Sequence, residues 1–361
     1  MHSLMQKQDN NQMHKMIYGI TLYLVLFTIS SRQLIAQNMN HPVRVIKDVE
    51  YGKAEGYWAS YPYRSVDLEE QMPKLARKIY GESTDFISLS MDIYKPALNN
   101  KNKKKYPLVV MAHDGAMLLG DKADETMVVL ANFFAGNEII VSSINYRLGF
   151  PLSTGMFEKA VYHGVQDMRA AIRFLVEYAD DYNIDTDNIF VLGASAGGFI
   201  AIATAFMSED ERPKNTGFGF GNRAELSCLD CSTNFFDQSF HIKGIINLWG
   251  AIHHLSYISA DDDVAILSFH GADDDVVPLG YDYPYSKLKL GNSLLHKLYS
   301  RQVYGSNEIH IHASQLGIKS EIRIFKNKKH SPHLSVKGSS FTKEFETIKE
   351  GSLRFIKHFE F

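Results

Sequence analysis

The chain has 361 residues, 45% hydrophobic and 22% charged, the composition of an ordinary globular protein with room for one large α/β domain or two small ones. Its formal charge of −3 argues against nucleic acid as the main partner. Its two cysteines, Cys228 and Cys231, are a lone Cys-x-x-Cys, short of the roughly four ligands a zinc site needs, so no metal is expected.

Residues 1–36 differ in character from the rest. His14 and Lys15 precede an apolar run from Met16 to Ser30, and Leu34-Ile35-Ala36 ends on a small residue. This is the layout of an export signal, which predicts a mature domain over 37–361 that is periplasmic or secreted. The run is shorter than the ~20 apolar residues of a spanning helix, so no stable membrane anchor is expected. Removing it takes away Lys7, Lys15, Arg32 and Asp9, which leaves a formal charge of about −5.

Beyond the signal, Ile87, Leu89, Met91 and Ile93 alternate with polar residues and predict a half-buried strand. Residues 99–105 read as a solvated turn. Pro107 to Ala112 and Glu138 to Ile144 are continuous apolar runs of buried-strand length. Val161, Val165, Met168, Ile172, Leu175 and Ala179 step by three and four, which predicts a helix with one core face. A strand from Asn188 to Leu192 leads into Gly193-Ala194-Ser195-Ala196-Gly197, and a small-residue helical segment, Phe199 to Met207, leaves it. Buried strands follow at Ile242 to Leu248, Val264 to Phe269 and Glu321 to Phe325, and the chain ends on an apolar stripe through Phe345, Ile348, Phe355, Ile356 and Phe359. Strands alternating with helices predict an α/β fold: a mostly parallel sheet covered on both faces. Residues 208–240, polar, Gly-rich and aromatic, interrupt that rhythm and predict a lid-like insertion.

Gly-x-Ser-x-Gly between a strand and a helix pushes the serine clear of the backbone, while the glycines let neighbouring chain pass close behind it. The helix N-terminus aims its N–H groups at the same point. A serine hydroxyl needs a base, and the base needs an orienting acid. Two later strands supply them in that order at their carboxyl ends. One runs into His270-Gly271-Ala272-Asp273-Asp274-Asp275-Val276-Val277-Pro278, the other into Lys328-Lys329-His330-Ser331-Pro332-His333. His113-Asp114-Gly115-Ala116 follows a third strand, where the N–H groups of Gly115 and Ala116, with that of Ala196, are candidate oxyanion donors.

From about residue 84 onward the chain resembles the α/β-hydrolase superfamily, carboxylesterase and lipase type, and especially exported bacterial esterases of the acetylxylan and feruloyl kind. The likeness rests on His113 to Ala116, Asn145-Tyr146-Arg147-Leu148, Asp167 with Ala170-Ala171, Asp187-Asn188-Ile189, the Ser195 turn, Trp249-Gly250-Ala251, and His270-Gly271 with Asp274 and Val276-Val277-Pro278. The resemblance implies Ser195 as nucleophile, Asp274 as acid and His330 as base, with His333 the other candidate base. It implies N–H donors at Gly115, Ala116 and Ala196, and Trp249 is a candidate either for lining the substrate pocket or for plain core packing. It also implies hydrolysis of carboxylic esters on a small-molecule or carbohydrate-linked substrate, with no cofactor. A prolyl-oligopeptidase-type peptidase and a non-catalytic binding protein on the same fold are the alternatives. Two positions depart from the family pattern. Asp114 replaces a glycine beside the oxyanion site, where a carboxylate repels developing negative charge. Lys328 and Lys329 replace glycines before the base, where cations are expected to disfavour the imidazolium and attract an anionic substrate.

Overall fold

The computed structural model describes residues 40–61, 84–98, 104–150, 156–213, 227–287, 301–335 and 340–358. The export segment at 1–36 and the centre of the lid-like insertion, 214–226, lie outside the described residues.

Eight strands form the main sheet: β1 (Val43–Gly56), β2 (Asp85–Pro96), β3 (Tyr106–Ala112), β4 (Ile140–Ile144), β5 (Ile184–Ala194), β6 (Ile242–Leu248), β8 (Ala265–Gly271) and β11 (Ser320–Phe325). Their spatial order is β1-β2-β4-β3-β5-β6-β8-β11. The six strands from β4 to β11 run parallel, and β1 and β2 are antiparallel at one edge. Short strands β7 (Ala251–Ile252), β9 (Tyr281–Asp282) and β10 (Val303–Gly305) make a small second sheet.

The middle strands are apolar throughout because both faces are covered. Along β3, Leu108, Val110 and Ala112 belong to one buried cluster, while Val109 and Met111 belong to the other. Helices α2 (Met156–Glu177) and α4 (Ala196–Phe206) cover the first face, the former through Val161, Val165, Met168, Ile172 and Leu175. On the second face lie α1 (Glu125–Ala135) and α6 (Lys343–Lys357), the latter through Phe345, Ile348, Phe355 and Ile356. The expected architecture is therefore the observed one. A short helix α3 (Ala179–Tyr182) precedes β5, and α5 (Ser306–Gln315) follows β10. Among the described residues no helix is long and apolar enough to cross a membrane.

Two strands differ from their sequence reading. β1 is absent from it, because as an outermost strand it carries Arg44, Lys47, Asp48, Glu50 and Lys53 and shows no clean alternation. β11, expected to be buried, is the opposite edge, and Ile324 on it is 42% exposed. The described part of the insertion after α4 is fastened to α2 and β1. Asp230 pairs with Arg169 and Arg173 at 2.6 and 2.5 Å, and Asn234 donates to the carbonyls of Tyr51 and Ala170. Cys228 and Cys231 in that segment are joined as a disulfide.

Candidate active site

Ser195 sits between β5 and α4 with φ 51° and ψ −113°, a conformation an L-residue adopts only when its surroundings enforce it. Its N–H donates to the Leu248 carbonyl at 2.8 Å, which ties the corner to β6. The flanking glycines leave no alternative. A Cβ on Gly193 would fall 1.9 Å from the Gly197 oxygen, and one on Gly197 would fall 2.1 Å from the Ala112 oxygen. Packed this tightly, the corner presents the serine hydroxyl at the carboxyl end of the sheet.

The structure brings Ser195, His330 and Asp274 together. His330 Nε2 lies 2.9 Å from Ser195 Oγ, and His330 Nδ1 lies 2.8 Å from Asp274 Oδ2. Since the carboxylate only accepts, Nδ1 carries the proton, and Nε2 faces the hydroxyl as an acceptor. Asp274 is fully buried and its second oxygen accepts the N–H groups of Val276 and Val277 at 2.8 and 3.0 Å. Burial pushes the Asp274 carboxyl upward, but the His330 charge and the bonds from His270 and His330 outweigh that and hold it well below the usual carboxylate range. For His330, whose side chain is 11% exposed, burial pulls the pKa down. Asp274 first, then Asp114 and Asp275, carry it net above the ordinary value.

His333, the other candidate base, does not reach Ser195. It is fully buried, with Nε2 2.8 Å from Thr126 Oγ1, and burial together with the nearby His330 charge pushes it down to about 3. Of the two readings of Trp249, its burial fits core packing. At φ 46° its ring turns inward, is 0% exposed, and stacks on His333 at 4.7 Å, so it has no surface to offer a substrate. Its ring also lies 6.4 Å from that of His330, in an edge-to-face arrangement.

The 113–116 loop turns sharply, with φ 118° at Gly115 and 56° at Ala116. The Gly115 carbonyl accepts from Leu118 and Leu119 at 2.9 and 3.0 Å. Among the described residues the N–H groups of Gly115, Ala116 and Ala196 donate to no backbone carbonyl. His113 anchors the loop from below. Its Nδ1–H donates to the Asp114 carbonyl at 2.7 Å, and its ring stacks on Tyr146 at 4.4 Å. Burial pushes His113 down to about 4. Tyr146 returns a hydrogen bond to the His113 carbonyl at 2.9 Å, while Arg147 and Asp167 form a buried ion pair at 2.9 Å that fixes the same stretch.

The charges near His330 differ from the sequence reading. Lys329 pairs with Asp275 at 2.6 Å and Lys328 with Glu344 at 3.1 Å, so both cations are matched by carboxylates. Asp275 is buried against Lys329, whereas Asp273 is exposed. Three residues that the sequence reading gave no role, Asn247, His270 and Ser306, form a hydrogen-bonded group beneath Asp274.

A family model described as BD-FAE matches residues 91–256. Thermogutta terrifontis esterase 2 phosphorylated by paraoxon superposes with a TM-score of 0.54 at 18% identity, covering 75% of this chain and 89% of that one. A truncated carbohydrate esterase from gut microbiota superposes with a TM-score of 0.53 at 16% identity, covering 89% of this chain and 99% of that one. Among curated proteins, Esterase-5C of Drosophila pseudoobscura pseudoobscura is 29% identical over 139 residues, and that match spans 38% of this chain and only 24% of the relative's length. By sheet order, the strand–turn–helix elbow at Ser195 and these likenesses, the chain has the α/β-hydrolase fold.

Proposed function

We propose that the protein is a serine hydrolase of carboxylic esters that works through an acyl-enzyme. The single observation behind this reading is the unbroken hydrogen-bond line from Ser195 Oγ through His330 to Asp274. Ser195 attacks the ester carbonyl while His330 Nε2 takes its proton. Asp274 stabilises the imidazolium and keeps the proton on Nδ1 in the resting state. The N–H groups of Gly115, Ala116 and Ala196 receive the oxyanion of the tetrahedral intermediate; one such donor typically contributes about 3–4 kcal/mol. His330 then protonates the leaving alcohol. In the second half it deprotonates water, which attacks the acyl carbonyl and releases the acid and Ser195. The sequence of steps asks for no metal or organic cofactor.

The BD-FAE match and the likeness to a carbohydrate esterase favour acetyl or feruloyl groups on polysaccharide as the substrate. The apolar segment at 1–36 is consistent with export to where such polymers are met. A panel of acetylated and feruloylated oligosaccharides, run beside a short chromogenic ester and a prolyl peptide, tests the reading. Turnover of the esters without peptide cleavage supports it. Peptide cleavage in preference to ester, or no turnover of any member, contradicts it.

A further inference from the structure

The carboxylate of Asp274 serves two imidazoles. Besides His330, it meets His270 at the end of β8, whose Nε2 lies 3.3 Å from Asp274 Oδ2 and 3.1 Å from the Val277 carbonyl oxygen. Both of these neighbours only accept, so Nε2 of His270 must carry a proton and donate. The opposite end of the ring requires the same. The Gly250 N–H donates to Asn247 Oδ1 at 2.9 Å, which orients that amide so that its Nδ2 donates to Ser306 Oγ at 3.0 Å. With its lone pair so engaged, the Ser306 hydroxyl turns its hydrogen to His270 Nδ1, 2.7 Å away. Asn247, Ser306, His270 and Asp274 are all buried, so water does not compete for these bonds. They join three separate segments, the ends of β6 and β8 and the start of α5.

We propose that His270 is a positioning residue for the Asp274–His330 pair, its donor face fixed by the Asn247–Ser306 relay and its N–H holding Oδ2 on the line to His330. This rests on the reading of Asp274 as the acid of the triad. The bond from His270 also draws negative charge from the oxygen that His330 uses. Losing it leaves a more basic partner opposite the imidazole, and His330 then holds its proton more tightly. The other charged or titratable groups around His330 are Asp275 with its partner Lys329, Asp114 on the loop after β3, and His333 within its own loop, while Lys287 donates to the Asp274 main-chain carbonyl. Among the described residues the polar contacts of the His270 ring are with Asp274, Val277 and Ser306, so a change made there reaches His330 through Asp274.

The test is a histidine NMR titration of His330 in the full chain, paired with the pH profile of kcat/KM, for His270→Phe, His270→Gln and Ser306→Ala. Phe keeps a ring and removes the donor, whereas the Gln amide restores an N–H near the Nε2 position. The inference expects the His330 titration midpoint to rise by about half a unit to one unit in the Phe variant, less in Ser306→Ala, and to stay near wild type in the Gln variant. The acid limb of kcat/KM should follow the same order. An unmoved midpoint in a folded Phe variant, or Phe and Gln variants that behave alike, overturns it. Should the Phe variant fail to fold, a rise in Ser306→Ala that is absent in His270→Gln supports the inference, and no rise overturns it. The titration reads His330 even without ester turnover, so a wild type that hydrolyses no ester sinks the proposed function alone.

Discussion

Gly271 and Lys329 approach so closely that a Cβ on the glycine would lie 2.3 Å from the lysine carbonyl oxygen. The same seam is closed by the Ala272 N–H donating to the Phe325 carbonyl and the Asp273 N–H donating to the Lys328 carbonyl, both at 2.9 Å. The acid loop and the base loop are thus one structure, and the 2.8 Å contact between Asp274 and His330 inherits its precision from that seam.

Gly271→Ala is expected to push the two loops apart. Overpacking of this kind typically costs about 1–3 kcal/mol. Ester turnover should fall by at least about 100-fold, since displacements near 1 Å at the reacting groups have effects of that order. Comparing kcat with the melting temperature checks this. A variant that loses stability yet keeps its turnover would show that the seam does not align the pair.

Gly197→Ala tests the elbow. The added methyl meets the Ala112 oxygen in β3, so Ser195 must leave its φ 51° conformation. Turnover and serine labelling should both drop by ten-fold or more while the sheet persists in circular dichroism.

The pH profile follows from His330, which must be uncharged at Nε2 to act as base. Its pKa is raised, so the acid limb of kcat/KM should have its midpoint above about 6.5, the ordinary imidazole value, with activity gained as pH increases through it. Asp274→Asn removes the largest of the carboxylate contributions that raise it and the acceptor that fixes the tautomer. The limb should move to lower pH and the plateau should fall by about 10⁴-fold.

Asp114→Asn separates charge from shape at the oxyanion loop. The Asp114 carboxylate is among the groups that raise His330. Neutralising it should shift the acid limb downward and leave the high-pH plateau at or above wild type, because a negative charge near the oxyanion is gone. A plateau lowered ten-fold would instead give Asp114 a direct role with substrate.

Arg147→Ala leaves Asp167 as a buried charge with one ion-pair partner removed. Breaking such a pair costs about 3–5 kcal/mol. Denaturant melts should show that loss, and the Tyr146–His113 stack beneath the oxyanion loop ties it to activity as well.

The sequence made the elbow legible because its chemistry is local: five consecutive residues between an apolar run and a small-residue helix. The strand-end positions of Asp274 and His330 were legible for the same reason, as each follows a clear apolar run. What depended on distant partners was not. Trp249 stands at a strand end, but only the stacking surface of His333 decides that its ring turns inward. Lys328 and Lys329 looked like uncompensated cations until the fold supplied Glu344 and Asp275. The relay through Asn247, Ser306 and His270 spans three segments with no common spacing, so no pattern along the chain announces it. β1 escaped notice because an edge strand needs no apolar alternation to pair.

Treating the full chain with a fluorophosphonate and mapping the adduct by mass spectrometry asks most directly whether Ser195 is an activated nucleophile. A single adduct on the peptide that contains Ser195, absent in Ser195→Ala and formed at least about 100-fold more slowly in His330→Ala, is the expected result. Labelling that persists in Ser195→Ala, or an unmodified Ser195 in folded wild-type protein, would contradict it.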